Sequence, residues 1–314
     1  MVMVEDTRTI GEEIRILSPA KPGNHLRQAG EDILAGSKVL DKGAFIGSAE
    51  TAILAAMGKA EVRVIRRPRV AVISTGDEIV DISEKPGPGH LRNSNLYTLA
   101  ALVAEAGAEL HCMIHIPDDP ASTESSLREC SGLDGSPPAD VIVTSGGVSV
   151  GERDYVKPAL EKLGSLDLWR VKMKPGKPLV VGRIGESMFF GLPGNPVSTM
   201  VTFELFVRPT LWKLAGRTDL ARPRVEVKVT VPVHHSPGRE EYVRAFTSIS
   251  SQGIFAEPTG RQGSGILTSM LNANSLLIID ADRGSLQEGD EIEALLTAQL
   301  CHVSVAPGKK EPHN

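Results

Sequence analysis

The clearest alternation of apolar and polar runs lies in the middle of the chain, over residues 68–216. Residues 70–73 are continuously apolar and with Ser74 predict a strand over 70–74, in the pattern of one covered on both faces. Leu96, Leu99, Ala100 and Val103 share one helical face behind Asn95, a good capping residue, and Gly107 marks the stop. Residues 109–116 predict a second strand. Asp119 and Pro120 then place a cap before a proline in the first helical position, which predicts a helix to about Cys130. Residues 140–144 predict a third strand, followed by a helix ending near Gly164. Runs at 169–173 and 179–181 read as further strands, and 197–215 as a long helix. This alternation predicts an α/β fold, a three-layer and mostly parallel sheet whose ligands bind beyond the carboxyl ends of its strands.

The flanks read differently. Residues 1–67 hold short strand-like runs at 13–17, 38–40 and 61–65, broken by Pro19, Pro22, Gly23 and Gly36. One helical pattern occupies 49–57, so this part predicts a partial, β-rich N-terminal domain. Residues 217–314 carry short alternating runs at 225–231, 242–249, 276–279, 291–296 and 302–305, separated by Gly, Asn and Asp, the signature of a small β-sandwich or β-barrel. Basic and proline-containing strings at 66–69 and 217–223 mark the junctions, giving domains 1–67, 68–216 and 217–314.

Composition removes several classes of function. The chain of 314 residues has 34 Lys+Arg against 39 Asp+Glu, a net charge of −5, which makes it a poor general binder of nucleic acid. Its apolar runs are far shorter than the ~20 residues of a membrane-spanning helix, and the first residues lack the pattern of a signal peptide. Cys112, Cys130 and Cys301 form no CxxC, so neither a disulfide framework nor a zinc knuckle is indicated. The expectation is a cytoplasmic protein without nucleic-acid or membrane partners.

The excess of glycine and proline gathers at the predicted strand ends. Thr75, Gly76 and Glu78 follow the first strand; Ser145, Gly146, Gly147 and Ser149 follow the third, with Asp154 just beyond. Lys174 and Lys177 are pinned among Pro175, Gly176 and Pro178. Pro193, Gly194, Asn195, Pro196 and Ser198 open the last helix. Any one such loop could simply turn the chain, but four on one sheet edge predict backbone N–H groups converging on an anion, aided by helix N-termini. Residues 151–178 carry seven Lys+Arg against four acids, which also favours an anionic ligand in this cleft. Neither GxxxxGK[ST] nor GxGxxG occurs. Glu78, Asp118 and Asp154 fall beside these loops, and together they suit Mg²⁺ bridging to phosphate.

Taken together, 74–78, 144–155, 174–178 and 191–198 closely resemble the molybdopterin molybdenumtransferase family, which includes gephyrin, from about residue 27 to near the C-terminus. The resemblance implies insertion of molybdate into adenylylated molybdopterin with release of AMP, assisted by Mg²⁺, in a homodimer whose site lies at the subunit interface. Carried over by motif, Glu78, Asp118, Asp154 and Asp32 match the family's functional acids, and Lys174 an anion-binding lysine. Pro193 and Pro196 shape the last loop, while Arg239 and Ser264 match positions near oxyanion or pterin. Arg170 stands where many members carry lysine, exchanging a point charge for a planar fork. The family's early Met-Asp-Gly motif is absent, so the resemblance implies slow turnover, weak dimerisation and apolar surface left exposed around residues 1–67. A non-catalytic molybdopterin-binding scaffold is the alternative. A hydrolase sharing the pterin-binding fold is disfavoured by the C-terminal β region.

Overall fold

The computed structural model describes residues 1–19, 21–148 and 154–302, with side chains to residue 300. The chain divides into two compact units, Met1–Glu61 and Val62–Asn314. In the first, β1 (Thr7–Ile10) and β2 (Glu13–Ile16) form an antiparallel hairpin, and α1 (Ser48–Ala56) follows. The expected strands at 38–40 and 61–65 do not form; each run is too short to pair without a neighbour. No described residue of this unit is buried, and Val4, Ile14, Leu34 and Phe45 stand exposed, as expected of the apolar surface there.

The second unit begins with β3 (Arg69–Thr75), a two-residue pair β4 (Ile79–Val80) and β5 (Leu91–Arg92), and α2 (Ser94–Glu105). Then come β6 (Glu109–Ile116), α3 (Pro120–Cys130), β7 (Val141–Ser145), α4 (Val156–Leu163), β8 (Ser165–Trp169) and β9 (Met173–Lys174). β10 (Val180–Ile184), β11 (Ser187–Leu192), α5 (Pro196–Thr202) and α6 (Arg208–Leu214) complete this half. Among the described residues one six-stranded sheet has the order β6-β3-β7-β11-β10-β8. Its β6, β3, β7 and β11 are mutually parallel, and β10 and β8 add antiparallel pairings at one edge. One face packs on α2, on the turn at Phe203–Val207 that follows α5, and on α6 through Leu99, Phe203 and Leu211, the other on α3 and α4 through Leu127 and Leu160. Two buried faces explain the uninterrupted apolar run of β3.

Four readings of the pattern are corrected here. The strand expected over 169–173 stops at Trp169, because Arg170 takes φ +74° and Met173–Lys174 leaves to pair with a strand of the C-terminal barrel. β11 was not anticipated, since Met188-Phe-Phe-Gly-Leu192 lacks alternation and is buried on both faces. The cap of α2 is Asn93, whose Oδ1 accepts from the Leu96 N–H at 3.2 Å, and Asn95 lies inside the first turn. The long last helix is interrupted by a π turn at Phe203–Val207, immediately before Pro209, which has no N–H to continue an α ladder. Asp119 caps α3 as predicted, accepting from the Ser122 N–H at 2.7 Å.

The C-terminal strands are β12 (Arg224–Val229), β13 (Glu240–Ser250), β14 (Gly253–Pro258), β15 (Ser275–Ile279), β16 (Glu291–Leu296) and β17 (Cys301–His302), with α7 (Thr268–Leu271) before β15. Pairings β12-β16-β15-β13-β14 return to β12 and close a five-stranded barrel around Val227, Val243, Leu277 and Ile292. Residues 303–305 of the last expected run lie outside the described residues. Among the described residues no helix is long and apolar enough to cross a membrane.

Candidate functional site

Because β3, β6, β7 and β11 run parallel, their carboxyl ends share one sheet edge, and a pocket of about 700 Å³ opens there. Twelve of the expected residues line it: Thr75, Gly76 and Glu78 after β3, Asp118 after β6, Ser145, Gly146 and Gly147 at the end of β7, Asp154 before α4, and Pro193, Gly194, Asn195 and Pro196 after β11. The far wall comes from the barrel through Gly265 and Leu267.

Close backbone approach explains the glycines. A Cβ on Gly146, which sits at φ +97°, would stand 2.8 Å from Thr75 Oγ1 and 2.9 Å from the Thr75 carbonyl oxygen. The Gly146 N–H donates to the Leu192 carbonyl at 3.1 Å, locking this loop to the end of β11. Thr75 Oγ1 is itself buried without a hydrogen bond among the described residues, a polar group left for a ligand or water.

Side chains from the start of α2 tie these loops together. Asn95 Nδ2 donates to Ser145 Oγ at 2.9 Å and to the Gly194 carbonyl at 2.7 Å. Asn93 Nδ2 donates to Ser74 Oγ at 2.6 Å, which also meets His115 Nδ1 at 3.0 Å. Pattern reasoning missed Arg92, Asn93, Ser94 and Asn95 as pocket residues; Asn95, just before an apolar helix pattern, was a signal spent on capping alone. The Asp118 N–H donates to Asp77 Oδ1 at 3.0 Å, and the Asp77 N–H to Asp118 Oδ2 at 3.4 Å, so the turn after β6 is braced against the turn after β3.

The charge of this pocket reverses the expectation of a basic cleft. Among the described residues, Glu78, Asp118 and Asp154 line it with a single cation, Arg92, whose Nε is engaged by the Ile82 and Glu84 carbonyls. Of the basic residues of 151–178, Lys157 and Arg170 lie over Trp169 at 4.0 and 4.1 Å, Lys162 pairs with Glu124 and Lys174 with Glu241, while Arg153 lies outside the described residues. The three acids are hard oxygen donors of the kind Mg²⁺ takes. Among the described residues, however, no three acids, histidines or cysteines stand close enough to cage a metal. The donor set therefore fits a cation shared with a ligand's phosphate, which is how Mg²⁺ is commonly held.

Lys174, Lys177, Arg170, Ser198, Arg239 and Ser264 lie outside the pocket lining. Ser198 is buried in α5 and gives its carbonyl to Thr202 Oγ1 at 2.7 Å. Lys177 is exposed and its carbonyl accepts from the Val171 N–H at 3.0 Å. The Ser264 carbonyl accepts the Val197 N–H at 3.1 Å, seating the barrel loop on the start of α5. Lys174 belongs to a second polar cluster on the barrel. Its Nζ meets Glu241 Oε1 at 2.9 Å, and Glu241 is buried with His235 Nε2 at 3.8 Å from its other oxygen. His235 also reaches the carbonyl of the exposed Arg239 at 3.1 Å. Arg244, three residues further along β13, is buried, and burial pushes its guanidinium pKa down to about 10. It donates to Ser269 Oγ and to the Gly263 carbonyl, both at 3.2 Å. An arginine among apolar neighbours in a strand was the available signal for it. Asp32 lies in the first unit, and Ser149 lies outside the described residues.

Three family descriptions match the chain: "Probable molybdopterin binding domain" over residues 71–213, "MoeA C-terminal region (domain IV)" over 226–297 and "MoeA N-terminal region (domain I and II)" over 1–58. The molybdopterin molybdenumtransferase of Haemophilus influenzae is 33% identical over 295 residues, covering 93% of this chain and 72% of that protein. Gephyrin of Dictyostelium discoideum is 37% identical over 337 residues, covering 96% of this chain and 46% of that protein. The crystal structure of a molybdopterin biosynthesis MoeA protein from Pyrococcus horikoshii superposes with a TM-score of 0.75 at 32% identity, over 94% of this chain and 71% of that one. With this identity spread across the sheet, its glycine loops and the barrel, the chain belongs to the molybdopterin molybdenumtransferase family.

Proposed function

We propose that the chain is a molybdenumtransferase of molybdenum-cofactor biosynthesis, inserting molybdate into adenylylated molybdopterin and releasing AMP. The observation that carries this reading is the convergence of three glycine-containing loops and the start of α2 on one pocket at the parallel strand ends. In this reading Gly146, Gly147 and Gly194 let the backbone close on the phosphates of the substrate, with amides at the start of α2 facing the same space. Leu91 and Leu267 offer apolar walls for a flat heterocycle. Glu78, Asp118 and Asp154 would repel those phosphates unaided, and they hold Mg²⁺ in this proposal. Bound there, Mg²⁺ would neutralise phosphate charge as AMP departs. Lys174 and Arg244, on the barrel, are the cations offered to molybdate.

Homodimerisation is also part of the proposal, supported by the exposed Val4, Ile14, Leu34 and Phe45 of the first unit. The test is direct. Purified chain is incubated with adenylylated molybdopterin, molybdate and Mg²⁺, AMP is quantified, and light scattering reports the assembly. AMP release that needs both molybdate and Mg²⁺ is expected, and Asp154→Asn should blunt the Mg²⁺ dependence. Equal substrate binding in EDTA and in Mg²⁺ would overturn the role given to the acids.

A further inference from the structure

Two thiols remain outside the chemistry above. Cys112 lies on β6, the edge strand of the sheet, and Cys130 is the last residue of α3. Along β6, Cys112, Ile114 and Ile116 face the layer that contains Leu127 and Cys130. The two sulfur atoms stand 3.7 Å apart, Cys130 buried and Cys112 half-buried. The connection between them runs up β6, through the turn bearing Asp118, and back down α3. The thiol pair therefore sits at the base of this unit, remote from the pocket at its tip.

We propose that Cys112 and Cys130 form a modification site, at which a peroxide-class oxidant produces an internal disulfide. Asymmetry between the thiols sets the order of events. The hydrogen bond with Cys130 lowers the pKa of Cys112, the more accessible group, whereas the same bond and burial raise that of Cys130. The Cys112 thiolate attacks one peroxide oxygen, the O–O bond breaks, and the leaving oxygen departs as water after taking a proton; Cys112 is left as a sulfenic acid. Cys130 sulfur then attacks Cys112 sulfur, the S–O bond breaks, and the oxygen leaves as water with the Cys130 proton. The two thiols lose two electrons in all, and one peroxide becomes two waters. The sulfurs must close to about 2.05 Å, within the reach of side-chain rotation at a strand edge and a helix end. The resulting bond staples β6 to α3 and removes Cys112 from irreversible oxidation.

The test uses the full chain. It is treated with a small excess of hydrogen peroxide, remaining thiols are alkylated, and the digest is read by mass spectrometry. The expected product is a peptide pair joined through Cys112 and Cys130, two hydrogens lighter than the reduced pair, with Cys301 alkylated. The oxidised protein should melt about 5 °C higher than the reduced form, from closure of a loop of this length. Cys301→Ser should keep the cross-link, while Cys112→Ser and Cys112→Ala should each lose it with an unchanged circular-dichroism spectrum. Diamide should give the same bond. A bridge that uses Cys301, or Cys112 and Cys130 both still alkylated after peroxide and after diamide, would overturn the proposal.

Discussion

Replacing Asn95 tests whether the pocket is assembled as described. Its amide nitrogen reaches Ser145 Oγ at 2.9 Å and the Gly194 carbonyl at 2.7 Å, joining the start of α2 to the ends of β7 and β11. Asn95→Ala removes two hydrogen bonds, each worth about 1 kcal/mol net, and water can replace the donor lost to the exposed Gly194 carbonyl. The sum is a destabilisation of about 2 kcal/mol, readable in urea as a lower midpoint at constant m-value. Ser145 has a second partner, donating to the Pro193 carbonyl at 3.3 Å, so Ser145→Ala alone should cost less. A double-mutant cycle isolates the shared bond, with a coupling energy of about 1 kcal/mol. Loss of AMP release should exceed what the lowered stability explains, because the same bond sets the distance between two ligand-facing loops. Additivity of the two substitutions within about 0.3 kcal/mol would refute the tie, since independent sites behave that way.

Other substitutions probe the fold and the loops. Glu204 is buried and holds Arg208 through two bonds of 2.7 and 2.8 Å, with Arg222 at 3.1 Å, so Glu204→Ala leaves the buried Arg208 with only the exposed Glu105 at 3.6 Å and should cost about 3 kcal/mol in urea unfolding. Gly146→Ala forces a side chain to φ +97° against the Thr75 backbone and should lower both stability and ligand binding by calorimetry, whereas Gly135→Ala at φ +95° has open space and should show the backbone cost alone, about 1–2 kcal/mol. The bidentate Arg66 pair at 2.5 Å, more than the opposing burial, holds the Asp140 carboxyl below its ordinary range. Its contribution to stability is therefore present above pH about 4 and lost as acidification passes through the lowered folded-state pKa. Asp140→Asn should flatten that part of the pH–stability curve, and an unchanged acid limb would show that the pair contributes nothing.

What was legible in the chain follows from the range of the interactions involved. β3 and β7 could be read because burial on both faces leaves a purely apolar run, and α3 because its stop and start signals are local to Asp119 and Pro120. The twelve pocket residues were legible for a related reason: parallel strands place their following loops on one edge, so sequence order alone brings them together. Pairings across long separations were not legible. Met173–Lys174 pairs with Glu240 and Glu241 in the barrel, and nothing in residues 169–178 records that partner. The seating of Ser264 on Val197 is of the same kind, and it is what brings Gly265 and Leu267 to the pocket wall.

The reversed charge of the pocket shows a further limit and strengthens the functional reading. Counting residues over 151–178 gives a basic excess, yet a count carries no direction: Lys157 and Lys162 of α4, Arg170 after β8 and Lys174 of β9 go to Trp169, Glu124 and Glu241. The acids Glu78, Asp118 and Asp154 follow strands whose carboxyl ends all meet, so their direction is set by the sheet itself. A site with three acids beside phosphate-sized glycine loops would reject a pyrophosphate ligand outright, since like charges in a partly dry cleft cost more than in water. A divalent cation turns the same arrangement into an attraction that exists only when metal and phosphate are both present. Lys174 and Arg244, the cations proposed for molybdate, would reach an oxyanion without that metal. The two poles of charge thus suit a reaction with two anions of different kinds, one taken through a metal and one taken directly, as the joining of molybdate to a phosphorylated pterin requires.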